Sequence, residues 1–269
     1  VIPDRIVLEI PEDKDMITKP ELFLLDLLSN YQWDRPINLL SMGGDLNMGI
    51  KDYLMYEGFS YRFVPIKGKM SSSKIGLCDS DDLYHKMTEA YKFDALGRDD
   101  YYVDYQNMYT FQGVISQRLL FVNVAKEMLK AGRKDRAEEL LDLCQKAVPD
   151  YNYPLCVTEL GFSNEIAVYE MISTYFAAGA PEKAVDLANR FASELYVSAN
   201  FYAGFYDYAK SDFESDCQMV YYVSDLLRAN GRDEEGDAIE EGLDEMLKGY
   251  ISDPEDIDEI LSSESDENA

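Results

Sequence analysis

Apolar and polar positions alternate along the first part of the chain and then switch to a helical period. Residues 5–10 (RIVLEI) alternate with period two and predict a strand, stopped by Pro11. Pro20 opens a helix, with Thr18 as cap and Glu21 in its first turn. Leu22, Phe23, Leu25, Leu27 and Leu28 give that helix a broad apolar face, and Asn30 stops it. Residues 37–42 (INLLSM) form a short apolar run suited to a central strand, broken by Gly43 and Gly44. Residues 49–56 fit two helical turns, and residues 59–66 alternate again around Pro65. Residues 1–70 therefore read as a small β-α-β-α-β domain.

A connecting region follows over residues 71–114. Ser80 or Asp81 caps a helix reaching about Phe93, and residues 97–107 are rich in tyrosine and aspartate. From Ile115 the pattern is helical. Helices over 115–131 and 134–147 flank Gly132, and Pro149 ends the unit. Set against the tetratricopeptide template, Ala125 takes the small position of the first helix and Ala137 opens the second. The pattern recurs at Ala178-Gly179 with Ala184, and at Asn230-Gly231 with Gly236. Insertions fall between units at 151–162 and 196–213. The predicted class is α+β: a small α/β domain, then three tetratricopeptide-like helical pairs over 115–251. Residues 252–269 read as an acidic, disordered tail.

Residues 33–65 (WDRPINLLSMGGDLNMGIKDYLMYEGFSYRFVP) carry an ordered series: W-x-RPI, a glycine-containing loop, then YL-x-x-EG-F-x-YR-F-VP. This series resembles a family of multi-spanning Bacteroidetes membrane proteins, themselves similar to animal transmembrane protein O-mannosyltransferases of the GT-C type. The resemblance extends to Tyr84 with Phe93, Asp104-Tyr105, Arg118 and residues 132–137. Asn38-Leu39 stand where that family has Tyr-Phe. The resemblance implies that this chain is the extracytoplasmic, periplasmic-face tail of a membrane glycosyltransferase-like protein using a lipid-linked sugar. It places the catalytic residues in a membrane portion outside this chain. The tail itself is then expected to be non-catalytic and to bind acceptor protein or glycan. No residue run here approaches the ~20 apolar residues of a membrane helix. A start at Val1 without a signal segment is expected of a processed product or an excised piece.

Charge narrows the partners. The 52 acidic against 25 basic residues give a formal charge of −27, which repels phosphate backbones and anionic membranes. No nucleic-acid partner and no direct membrane insertion are expected. No cofactor and no metal are expected either. The four cysteines form no CxxC pair, and with His85 as the single histidine a Cys/His zinc site has almost no ligands. His85 is also the only imidazole available to a nucleophilic triad, and an amphipathic-helix surface is its plain reading. Gly43-Gly44-Asp45 reads as a turn rather than a phosphate loop, and residues 253–264 lack the glycine of a calcium loop.

The candidate binding residues are Arg35, Arg62, Tyr61, Asp104, Tyr105, Arg118, Tyr202 and Tyr206. Arg35 and Arg62 flank apolar strands, where pairing with Asp34 or Glu57 competes with capture of a partner carboxylate. Tyr175, Tyr221 and Tyr222 lie at core spacing. Tyr196, Tyr202, Tyr206 and Tyr208 lie between helical pairs and suit an aromatic face. Two other readings stay open: a stand-alone glycan-binding protein of a nutrient-uptake system, and a sugar-processing enzyme. The enzyme would use Asp99, Asp100, Asp104 or Glu57, since that chemistry needs carboxyls about 5–10 Å apart.

Overall fold

In a computed structural model the chain divides into two compact units, Val1–Tyr91 and Lys92–Ala269. The structure describes residues 5–10, 12, 14–40, 49–68, 77–109, 113–157 and 164–250. The Gly43-Gly44-Asp45 turn, the 253–264 segment and the acidic tail predicted above lie outside them. Both units together are mixed α+β, dominated by helix.

The first unit is built on helix α1 (Lys19–Ser29) and a four-stranded sheet. Its strands are β1 (Asn38–Leu39), β2 (Leu54–Tyr56), β3 (Tyr61–Phe63) and β4 (Leu77–Cys78), in spatial order β1-β3-β2-β4. β3 is antiparallel to β1 and β2, while β4 joins β2 in parallel. Helix α1 begins as its sequence predicts: the Thr18 N–H donates to Glu21 Oε2 at 2.8 Å, closing a capping box. Leu24, Leu25 and Leu28 pack on the core of Ile50, Tyr53, Leu54 and Phe63. Leu22, Phe23 and Leu27 are exposed, so the buried stripe is narrower than the sequence suggests.

Two predicted elements change character. Residues 5–10 send Ile6 and Leu8 onto the core and leave Val7 and Ile10 exposed, yet they join no strand ladder. Alternation fixed which side chains point inward, but a ladder also needs an edge to pair with. Their backbone instead runs close to Gly49, where an added Cβ would lie 3.1 Å from the Glu9 nitrogen. The helix expected over 49–56 is a short 3₁₀ turn (Ile50–Tyr53) that runs straight into β2. The reason is the hairpin: the Glu57 N–H donates to the Ser60 carbonyl at 2.9 Å, turning β2 back onto β3.

The second unit contains α3 (Tyr105–Tyr109) and the long helices α4 (Gln117–Lys130), α5 (Lys134–Ala147), α6 (Asn164–Ala178), α7 (Pro181–Ala203), α8 (Tyr206–Ala229) and α9 (Asp233–Leu247). Helix α2 (Ser80–His85), in the first unit, starts from an Asp79 cap rather than from Ser80 or Asp81. The pairs α4/α5, α6/α7 and α8/α9 each turn on a glycine: Gly132, Gly179 and Gly231, with φ of 74°, 93° and 75°. Each turn repeats one hydrogen-bond pattern, in which the residue after the glycine donates back five positions. Arg133 reaches Met128, Ala180 reaches Tyr175, and Arg232 reaches Leu227, at 2.9–3.0 Å. The small residues fall where helices cross: Ala125, Ala137 and Ala184 are fully buried. At Gly236 an added Cβ would sit 3.0 Å from the Ser224 carbonyl.

An added Cβ at Gly179 meets nothing within 4 Å, so its cost is conformational. Gly179→Ala is expected to destabilise by about 1 kcal/mol and Gly179→Asn by less, read from urea midpoints at constant slope. An equal loss in both variants would contradict the left-handed turn. The 196–213 insertion is helical: it lengthens α7 and opens α8. Tyr175 is buried as expected, while Tyr222 is exposed because it faces away from the pair contact.

Candidate functional site

The family-like series at 33–65 builds the sheet unit. Trp33, at φ 62°, stacks on Phe63 with ring centroids 5.6 Å apart, and Tyr31 packs against Trp33 at 4.5 Å. Tyr61 packs on Tyr56 at 5.4 Å, and burial raises its hydroxyl pKa. Arg62 lies 3.6 Å from Glu57, which also receives Lys86 at 2.9 Å. Tyr91 donates to the Glu57 carbonyl at 2.6 Å. Glu57 is thus a buried junction between the hairpin and the following helix. Arg35 is exposed, and its carbonyl accepts from the Tyr31 hydroxyl. His85 is also on the surface, 2.9 Å from Glu89.

In the second unit two aspartates of the Tyr/Asp-rich stretch, Asp100 and Asp104, are held by neighbours. The Arg98 guanidinium holds Asp100 low, and two hydrogen bonds from Asn107 hold Asp104 low. Tyr105 is exposed at the start of α3. Arg118 is 1% exposed, so it presents nothing to a partner. It donates to the carbonyls of Val148 (3.2 Å), Tyr153 and Pro154 (2.6 Å) and to Asn164 Oδ1 (3.3 Å). Its guanidinium is the peg on which residues 148–155 hang.

The α7–α8 junction gathers the aromatic surface. Phe201 is 61% exposed, Phe205 54%, and Tyr208 93%. Phe201 packs edge-on against Tyr202 at 5.4 Å and against Phe205 at 5.3 Å. Tyr206 is half-buried, edge-on to Phe213 at 5.5 Å, and anchors the turn. Val197, one turn before Phe201, is 71% exposed and extends the apolar strip. The helix kinks at Ala209, with φ −129° and ψ 33°, just past Tyr208.

A second feature lies between α6, α7, α8 and the loop before α6. Cys156, Glu165 and Asp216 converge, with their ligating atoms all within 4.8 Å of one another. Cys156 Sγ lies 3.6 Å from Glu165 Oε1 and 3.8 Å from Asp216 Oδ1. Glu165 and Asp216 are 1% and 0% exposed. The Ser198 hydroxyl on α7 sits beside Asp216 and Cys156 and lowers the pKa of each. Burial pushes the Asp216 carboxyl up to about 7, and the Glu165 and Asp212 charges add to it. Burial beside these carboxylates also pushes the Cys156 thiol far up.

Residues 1–82 match the TMEM260-associated domain 2 family. The match lies within the first compact unit and spans the whole Trp33–Phe63 cluster, consistent with a domain of a TMEM260-like protein. No curated protein and no solved structure matches the chain. Within the matched residues the ordered series is accounted for by packing: Tyr53, Leu54 and Phe63 are core, while Trp33, Tyr61 and Arg62 brace the sheet.

The sequence reading marked Tyr202 and Tyr206 but passed over Phe201 and Phe205, which carry more exposed ring. Apolar positions on a long helix look like core until the packed face is known. The Cys156/Glu165/Asp216 cluster left no local motif, since its members are separated by helices. The expectation that a Cys/His zinc site had almost no ligands left carboxylates out of the count. Among the described residues no helix is long and apolar enough to cross a membrane.

Proposed function

We propose that this chain is a non-catalytic extracytoplasmic accessory domain of a GT-C-type membrane glycosyltransferase-like protein of the Bacteroidetes kind. It binds acceptor protein or its glycan, and the sugar-transfer chemistry belongs to a membrane portion outside the chain. The helical pairs form a tetratricopeptide-like array that presents the binding surface. The observation that carries this reading is the exposed strip of Val197, Phe201, Phe205 and Tyr208 at the α7–α8 junction. Phe201 and Phe205, packed on each other yet open to solvent, offer apolar area at low entropic cost, which suits polypeptide or sugar faces. The match of residues 1–82 to a TMEM260-associated domain supports the family side of the reading.

Asp100, Asp104 and Glu57 lend the enzymatic alternative no support. Asp100 and Asp104 are both held low, and Glu57 is engaged by Lys86 and Arg62. A general acid needs the opposite shift. The test is binding of a Ser/Thr-rich peptide and of its O-mannosylated form, followed by calorimetry. The double variant Phe201→Ala/Tyr208→Ala is expected to bind the preferred probe at least about tenfold more weakly, with an unchanged Tm. Equal affinity in the variant would remove the aromatic strip from the proposal.

A further inference from the structure

Three metal-competent side chains meet in the interior of the second unit, and their spacing can be compared with a coordination sphere. Tetrahedral zinc binds sulfur at about 2.3 Å and carboxylate oxygen at about 2.1 Å, which sets sulfur–oxygen separations near ~3.6 Å. The observed separations from Cys156 Sγ are 3.6 Å to Glu165 and 3.8 Å to Asp216. Both separations from the thiol therefore match a coordination sphere, and the three ligating atoms lie within 4.8 Å of one another.

A second observation points to a missing partner. Asp216 is completely buried, and its Oδ2 has no hydrogen-bond partner among the described residues. No lysine or arginine among them forms an ion pair with it. A buried carboxylate oxygen without a donor is costly to retain, and a cation is the ordinary way to satisfy it. Arg118 and Arg190, on α4 and α7, are committed to loop carbonyls and to Asp150 and Gln145.

The surrounding structure also holds the thiol in place. Glu194 accepts from the backbone N–H groups of Leu155 (2.7 Å) and Cys156 (3.1 Å). Asn164, adjacent to Glu165, donates to the Leu155 carbonyl at 2.7 Å. Arg118 fixes the carbonyls of Tyr153 and Pro154 from α4. Backbone bonds on consecutive residues orient Cys156 toward α6 and α8, as supporting shells orient metal ligands.

We propose that Cys156, Glu165 and Asp216 form a structural zinc site that ties the loop before α6 to α6 and α8, with Ser198 beside the fourth position. One thiolate with two carboxylates matches a borderline-soft divalent ion better than magnesium or calcium, which favour all-oxygen sets. Binding releases the Cys156 thiol proton, and the Asp216 proton where that carboxyl is protonated, to solvent and involves no redox change.

The test titrates the intact, chelator-stripped chain with cobalt(II) and then with zinc. The expected result is a thiolate-to-cobalt charge-transfer absorption saturating at stoichiometric metal and displaced by zinc. The many surface carboxylates bind metal without producing that band, so it reports on the thiol. Cys156→Ser abolishes the band, and Asp216→Asn weakens binding at least about tenfold and removes the zinc-induced rise in Tm. If Cys156→Ser fails to fold, the Asp216→Asn titration decides. No charge-transfer band in the intact chain, a band that survives Cys156→Ser, or unchanged affinity in folded Asp216→Asn would each overturn the site.

Discussion

Arg118→Met is expected to destabilise the second unit by about 3–5 kcal/mol, enough to shift or abolish its unfolding transition. The side chain is interior, and burial pulls its pKa down only to about 10, so it remains charged at neutral pH. What stabilises that charge is a set of carbonyl dipoles from Val148, Tyr153 and Pro154 with the Asn164 side chain. Methionine fills much of the volume but satisfies none of these acceptors. Lysine keeps the charge but cannot reach four acceptors with one ammonium group, so Arg118→Lys is expected to lose about half as much. Urea denaturation with far-ultraviolet circular dichroism measures both. A loss below about 1 kcal/mol for Arg118→Met would show that the loop is held by other contacts.

The second large effect has the opposite sign. In the metal-free protein Asp216→Asn is expected to be stabilising at pH 8, by about 2–4 kcal/mol. A carboxyl whose pKa rises from 3.8 to about 7 on folding keeps its proton in the native state while the unfolded chain has lost it. The folded state then binds more protons than the unfolded state between about pH 4 and pH 7. Stability from this group is complete below the unfolded value and falls as pH rises through that window. The groups around Asp216 divide: Glu165 from α6 and Asp212 on its own helix oppose its ionisation along with burial, while the hydroxyl of Ser198 on α7 and the Cys156 thiol favour it and offset part of the burial. Asparagine removes the titration, so the variant's advantage should shrink toward pH 4. Urea midpoints of both proteins at pH 4.5 and pH 8 measure this. An advantage that is the same at both values would contradict it.

Much of the second unit was legible because its signals are local. Glycine at 132, 179 and 231 marks the turns, since the left-handed end of a helix excludes most other residues. Ala125 and Ala137 mark close crossings for a similarly short-range reason. The capping box at Thr18 and Glu21 could also be read directly. The first unit was less legible, because strand identity depends on partners distant in sequence. Residues 5–10 have the alternation of a strand without its ladder, and residues 49–56 split between a 3₁₀ turn and β2.

The site was legible in part. Arg62 with Glu57 follows from strand ends and charge, and the pairing is present. Arg118 could be singled out, but nothing local told whether its charge faced a partner or four acceptors of its own chain. The buried cluster was hidden, because Cys156 and Asp216 are brought together by the stacking of α6, α7 and α8 rather than by spacing. The phenylalanines at 201 and 205 were hidden for the converse reason: exposure is a property of the packed array.

The most direct test of the central reading maps binding residue by residue. Amide and aromatic resonances of the intact chain are followed while the Ser/Thr-rich peptide, and separately its O-mannosylated form, is added. The account predicts saturable shifts concentrated on Val197, Phe201, Tyr202, Phe205 and Tyr208, at the α7–α8 junction. Saturable shifts centred elsewhere, or none with either probe at millimolar concentration, would contradict it.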